Sequence, residues 1–292
     1  RANSYNGASV NDLLGTAEIW HYETQAYTIE NIVRYARDID KHHFDITGVY
    51  AAQQRKYSES YARARDFVND ELGWNRMQAG AAANVSSYAD KYAALSQMGR
   101  LNYSFDSRYL FTFTVRRDGS SVFAEDLKYG IFPSVALGWN IHQENFLKEN
   151  ETINNLKLRL SYGISGNEAV AVYRTFTTMR DVQIALGGVT NIAMVTDRLG
   201  NGDLSWESKK SLNAGVDFGF FNNRINGTLD LYQASNYDLL LSRKLPAASG
   251  FGDVIANIGE TENKGLELTL NTVNVSTKDF KWHSSVVFST NK

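Results

Sequence analysis

Five histidines, His21, His42, His43, His142 and His283, are the natural starting point for acid–base or metal chemistry in this chain. None stands in an H-E-x-x-H or H-x-x-x-H spacing, so no single face offers two imidazoles to one ion. His42 and His43 are adjacent at a turn, which favours a solvated pair over a ligand pair. His283 is the one strand histidine near enough to a polar face for an acid–base role. With no cysteine, disulfides and thiolate metal sites are excluded. There is no G-x-S-x-G elbow and no phosphate-cradling glycine loop, and Gly250-Phe251-Gly252 reads as a bend. These residues point to no catalytic centre, no metal and no cofactor.

The remaining chemistry is binding chemistry. Arg100, Arg116, Lys157, Arg159, Asp217, Asp230 and Glu267 fall at alternate positions of apolar-periodic stretches and so share one polar face. Asp118, in the RRDGSS stretch, reads as a loop-shaping turn beside Gly119 that could also touch a ligand. Trp74, Tyr173 and Phe176 lie in longer connections, where aromatic faces could stack on sugar rings through apolar C–H surface.

The elements that position these residues are strands. From Ser211 to Tyr232, Leu212, Ala214, Val216, Phe218 and Phe220 alternate with Ser211, Asn213, Gly215, Asp217 and Gly219. After Asn222-Asn223 the alternation resumes, with Ile225, Gly227, Leu229 and Leu231 against Arg224, Asn226, Thr228 and Asp230. That is a hairpin, because Asn tolerates the positive φ of tight hairpin turns. A second hairpin sets Leu101, Tyr103 and Phe105 before Asp106-Ser107, and Tyr109, Phe111, Phe113 and Val115 after it. Further strands are expected over 16–37, from about 43 to 54, and in YGIFPSVALGWNI, NLKLRLSYG, KGLELTLNTV and FKWHSSVVFS. The stretch 71–87 reads as a long loop, with a helix as the runner-up for 57–67; RRDGSSVFAEDLK and 243–261 also read as loops. The region 164–205 holds either one long excursion or a pair of strands.

Composition supports a sheet. Sixteen Tyr, 15 Phe and 5 Trp stand against two prolines, and aromatics favour strands. The net charge of −2 gives no electrostatic reason to expect nucleic acid. No run of about 18 apolar residues exists, which excludes a transmembrane helix but not barrel strands. A mean hydropathy of −0.37 suits either a soluble sheet or a barrel.

Three features favour a membrane barrel over a soluble sandwich. The strands are long, and aromatics gather beside the short turns (Tyr103, Phe105, Tyr109 and Phe111; Phe218, Phe220 and Phe221; Phe280 and Trp282), as an interfacial girdle requires. Links alternate in length: 38–41, 106–107, 222–223 and 276–279 are short, whereas 68–90, 117–128 and 243–261 are long. Outer-membrane barrels place short turns in the periplasm and long loops outside. The connection after Ile141 is the exception. The expected fold is therefore all-β, an antiparallel up-and-down transmembrane β-barrel segment of about 10–12 strands.

At this point the motifs become specific. RYLFTFTVRRDGSSVF, YGIFPSVALGWNI with ENFLKE, LKLRLSYGISGN, NGDLSWESKKSLNAGVDFGFFNNRINGTLDLY, LPAASGF and NIGETENKGLELTLN resemble, in order and spacing, the barrel of SusC-like (SusC/RagA) TonB-dependent transporters. The resemblance runs from about Leu101 to Lys292. It implies an outer-membrane barrel of about 22 strands plugged by an N-terminal domain. It further implies import of glycans or peptides in a Gram-negative cell, in company with a SusD-like surface lipoprotein and energised by TonB-ExbB-ExbD through the plug. No plug, carboxypeptidase-like extension or TonB box is found in 1–292, and FSTNK is not an aromatic-ended last strand, so the reading is of a partial barrel. In it, Arg100, Arg116, Arg159, Asp217, Asp230 and Glu267 line the lumen. The rivals are an outer-membrane barrel enzyme of lipase or protease type, and a passive porin.

Overall fold

Alternation built on so many aromatic and β-branched residues gives strands almost throughout. In the computed structural model, which describes residues 2–3, 15–67 and 73–292, they are β1 (Ala2–Asn3), β2 (Thr16–Ile39), β3 (His42–Phe67), β4 (Gly80–Phe105), β5 (Tyr109–Ser120), β6 (Tyr129–Asn140) and β7 (Ile153–Asn167). There follow β8 (Thr178–Leu186), β9 (Val189–Arg198), β10 (Glu207–Phe220), β11 (Ile225–Tyr237), β12 (Leu240–Lys244), β13 (Asp253–Asn257), β14 (Thr261–Ser276) and β15 (Lys281–Asn291). One sheet runs in the order β1 to β7, then β10, β11, β14 and β15; β8–β9 and β12–β13 form separate two-stranded sheets.

Several expectations are corrected here. The stretch expected as a loop over 71–87 is divided, since a 3-10 turn occupies Gly73–Ala79 and β4 begins at Gly80. Residues 71–72 lie outside the described residues. The helix considered for 57–67 is the end of β3, whose RKYSESYARARDF has polar side chains on both faces and so hides its period of two. Of the expected loop RRDGSSVFAEDLK, residues 116–120 are the end of β5, and the connection to β6 begins at Ser121. The region 164–205 is an excursion that carries its own hairpin, β8–β9, without adding strands to the main sheet, and 243–261 likewise contains part of the hairpin β12–β13.

Two compact units divide the chain, residues 1–29 with 53–93 and residues 30–52 with 94–292. The first has a small core of Ala17, Ala64 and Phe67, with Met77 packed against it. Trp20 and Tyr61 pack tilted there, 4.2 Å between ring centroids.

The second unit carries the long register. Phe105, Tyr109, Trp139, Leu158, Val216, Leu229, Leu268 and Phe288 are successive cross-strand partners over eight strands. Tyr103, Phe111, Leu137, Leu160, Ala214, Leu231 and Leu266 make the next row on the same face. Eight strands at about 4.8 Å spacing make this face roughly 34 Å wide. It is not a core: Leu137 is 49% exposed and Phe288 54%. A soluble protein rarely leaves so large an apolar area to water. Between these rows the opposite face reads Ser104, Leu110, Gly138, Arg159, Gly215, Asp230, Glu267 and Ser289.

The tight turns follow their sequences. Asp106 and Ser107 both have positive φ, as do Asn222 and Asn223, and Arg108 and Arg224 donate their N–H groups back to the carbonyls of Phe105 and Phe221. These are the paired left-handed positions of a type I′ turn. Asn154 clamps the second from the neighbouring strand, its Oδ1 accepting from the N–H groups of Asn222 at 2.6 Å and Asn223 at 3.3 Å.

The connection after Ile141 looked too long for its side of the sheet; it is condensed around Glu144. Glu144 Oε1 accepts from Tyr109 Oη at 2.7 Å and Trp139 Nε1 at 2.9 Å, and Oε2 from Arg108 Nη1 at 3.2 Å. These bonds, led by that from Tyr109 and followed by that from Trp139, hold the Glu144 carboxyl below the ordinary glutamate range. A carboxylate whose folded pKa is depressed stabilises the fold above its unfolded value, about 4.3, and loses that contribution as pH falls through the folded value. E144Q keeps an acceptor but removes the charge. It is expected to lower the heat-modification temperature of the intact protein by a few degrees near neutrality and to flatten its decline in acid. An unchanged acid profile in E144Q would show that other carboxylates set it.

Candidate functional site

The polar face holds an ion cluster assembled from three strands. Arg159 on β7 lies flat across β10, its Nε 3.0 Å from Asp217 Oδ1 and its Nη2 3.1 Å from Asp230 Oδ2 on β11. Gly215 makes this possible, because a Cβ there would stand 2.4 Å from Asp230 Oδ1 and 2.7 Å from Arg159 Nη2. Glu267 on β14 is the direct cross-strand partner of Asp230. Lys157, the partner of Asp217, adds a second cation to the same face. Three of the seven polar-face residues singled out from sequence thus form one contact network, and Lys157 and Glu267 adjoin it.

The other two form separate groups further along the sheet. Arg100 Nε donates to Thr114 Oγ1 at 3.2 Å. Arg116 Nε pairs with Asp118 Oδ2 at 2.7 Å, and Ser96 Oγ donates to Asp118 Oδ1 at 2.5 Å. Asp118 is therefore a buried strand residue tied to its neighbours, and the loop-turn reading is corrected. Gly119 serves a different purpose from a turn: the ring of its cross-strand partner Tyr129 lies where a Cβ would be, 2.4 Å away.

Aromatic candidates separate as well. Tyr173 and Phe176 share one turn, with Phe176 N–H donating to the Tyr173 carbonyl at 3.3 Å, and Phe176 is 64% exposed. Trp74 sits in the 3-10 turn of the other unit and is half exposed. Sequence reasoning missed the structure that carries Tyr173 and Phe176. Asn201 N–H donates to the Arg174 carbonyl at 3.0 Å, while Asn201 Nδ2 reaches the Ile255 carbonyl at 2.9 Å. Asn257 Nδ2 donates to the carbonyls of Ser205 and Asp238, both at 2.9 Å. Two side-chain amides thus fasten the excursion after β7 to the hairpin β12–β13. Beneath them Phe123, Phe132 and Trp206 pack edge-on and tilted, Leu204 is fully buried, and Trp206 Nε1 donates to the Lys128 carbonyl at 3.0 Å. The available signal was Val122, Phe123, Leu204 and Trp206, apolar residues inside otherwise polar connections.

The histidines, the adjacent His42 and His43 aside, are spread apart among the described residues. His42 Nδ1 lies 2.8 Å from Tyr103 Oη among the rings of Phe44 and Phe105, so it is packed, not solvated as its position at a turn suggested. His43 pairs with Asp38, and His142 rests against the Leu156 carbonyl. His283 faces the polar side through its pairing with Val273, and no side-chain partner is found for it among the described residues.

The same chain matches, over residues 2–291, the family model described as TonB dependent receptor-like, beta-barrel. The chain belongs to this family. A TonB-dependent receptor P3 of Formosa agariphila is 38% identical over 281 residues, which is 96% of this chain and 28% of that protein. The TonB-dependent receptor SusC of Bacteroides thetaiotaomicron is 42% identical over 205 residues, 68% of this chain and 20% of that one. Among solved structures, the RagAB peptide transporter superposes with a TM-score of 0.84 at 27% identity, covering 97% of this chain and 31% of its own. The chain therefore spans about three tenths of the length of such relatives, and its sheet is an up-and-down portion of a SusC-like receptor barrel. The relatives named are receptors and a transporter. The two-faced register of this portion is what a receptor barrel needs.

Proposed function

We propose that this chain forms part of the wall of an outer-membrane importer that takes up glycans or peptides, acts with a SusD-like surface lipoprotein and is energised through TonB-ExbB-ExbD. One observation carries the reading: an exposed apolar face eight strands wide is backed by a charged face with its own ion cluster. Lipid satisfies the first and a watery lumen the second. In this reading Arg100, Arg116, Arg159, Asp217, Asp230 and Glu267 line the lumen, where they meet a plug contributed by sequence outside 1–292. The short turns face the periplasm. The amide-fastened assembly of the excursion and β12–β13 lies outside, presenting Tyr173 and Phe176 to substrate, and Trp74 is a further outer contact. The peptide transporter among the solved relatives supports a peptide cargo, and the SusC relative supports the nutrient-import reading in general.

Uptake by cells carrying the intact protein is expected to fall to background when the proton-motive force is collapsed. A passive porin keeps its uptake under that treatment, and a barrel enzyme releases product without any. The intact protein is expected in the outer-membrane fraction, migrating differently before and after heating; recovery in the soluble fraction would end the membrane reading altogether.

A further inference from the structure

On the polar face Arg159 is paired with Asp217 and Asp230, Arg116 with Asp118, and Arg34 with Asp45, whereas Arg100, Lys157 and Lys209 have no ion pair among the described residues. On the apolar face Arg117, Lys210 and Lys264 have no ion-pair partner among the described residues, and what sets them apart is their place at its outer edge. Arg117 lies over the Tyr129 ring, 3.8 Å from its centroid, and its Nη1 donates to Gln97 Oε1 at 3.2 Å. Lys210 lies over the Tyr237 ring at 4.5 Å. Glu262, two positions beyond Lys264, is engaged by Gln233 Nε2.

Their height on the sheet is also shared. Going outward from the short turns, each is the first charged side chain on the apolar face. Arg117 follows Tyr109, Phe111, Phe113 and Val115, whereas Lys210 and Lys264 stand just outside Leu212 and Leu266. A barrel strand crosses in about 9–11 residues, so all three emerge where the apolar band ends on the long-loop side.

Grooves in the apolar face lead to two of them. One, lined by Leu160, Leu212, Leu231 and Leu266, opens at Lys264. The other, lined by Val33, Gly48, Tyr50 and Val115, ends at Arg117. It exists because Gly48 and Gly99 leave the backbone bare, with no atom closer than 4.0 Å to where a Cβ would be. An apolar groove ending at an unpaired cation is the complement of an acyl chain ending at a phosphate. We propose that the outer rim of this face binds phosphorylated lipid of the outer leaflet, with acyl chains in the two grooves and headgroup phosphates on Arg117, Lys210 and Lys264. The inference rests on the membrane reading above and adds to it a lipid preference.

The test uses the intact protein in nanodiscs of equal parts phosphatidylcholine and phosphatidic acid, with retained lipids counted by native mass spectrometry during delipidation. Phosphatidic acid is expected to be retained preferentially, with retention about fivefold weaker for each cation removed, down to parity in R117Q/K210Q/K264Q. K209Q, on the opposite face, is expected to keep the preference. If the triple variant does not assemble, R117Q and K264Q singly carry the same expectation by one step each. Equal retention of both lipids by the unaltered protein overturns the proposal, as does a preference that survives the triple variant or is lost equally in K209Q. Abolition of the preference by millimolar inorganic phosphate also overturns it, because the site would then read free phosphate. These failures leave the protein in the membrane, whereas failure of the underlying reading leaves it in the soluble fraction.

Discussion

An arginine in place of Val216 is expected to destabilise the assembled barrel by about 2–4 kcal/mol, the range for a cation at the lipid-facing midplane of a barrel. Val216 is chosen by register. Its cross-strand partners are Leu158 and Leu229, beyond them lie Trp139 and Leu268, and no polar group on that face is near enough to receive a guanidinium. It is also far from relief by snorkelling, since Leu212 and Ala214 stand on one side along β10 and Phe218 and Phe220 on the other. The matched control is N213R on the same strand. Asn213 has Ser161 and Tyr232 as partners on the polar face, where an added cation meets water. Urea unfolding of the intact protein in detergent-free bilayers gives both values. Equal losses for V216R and N213R would mean that the sheet does not separate lipid from lumen.

What the sequence disclosed and what it hid divide along a physical line. Wherever one face is apolar and the other polar, the period of two is visible, and Leu212–Phe220, Ile225–Leu231 and Tyr109–Val115 all lie in strands with the expected facing. Where both faces are polar the period disappears, which is why the far end of β3 and the start of β4 read as helix or loop. Asp118-Gly119 misled for another reason. A glycine after an aspartate signals a turn, but here the absent Cβ makes room for the ring of Tyr129 on the next strand, a relation that no local window contains. Glu144 was equally hidden, because its partners Tyr109, Trp139 and Arg108 come from segments brought together only by pairing of β5 with β6. The ion cluster was half legible: alternation placed Arg159, Asp217 and Asp230 on one face, but only the register shows that one guanidinium serves both carboxylates across Gly215.

That cluster carries the second large effect. Arg159→Met is expected to cost about 1.5–3 kcal/mol, the usual worth of hydrogen bonds to a charged group, and toward the lower end because the Arg159 side chain is about a third exposed. The loss has two sources. Asp217 and Asp230 each lose a donor, and Asp230 is left directly opposite Glu267 with no guanidinium beside it, an arrangement of like charges that opposes strand pairing. Only the second source can be removed by a further substitution. Asp230→Asn in the R159M background eliminates the repulsion with Glu267 and is expected to recover part of the stability, whereas D230N alone destabilises. A double-mutant cycle of R159M and D230N, read by urea unfolding, therefore gives a coupling term of the sign that means the pair is worth more together than apart. Additive losses would show that Arg159 acts through Asp217 alone. Because the cluster lies on the face assigned to the lumen, uptake measured in the same variants separates two roles. If R159M/D230N restores stability but not uptake, the charges serve passage through the barrel as well as cohesion of its wall.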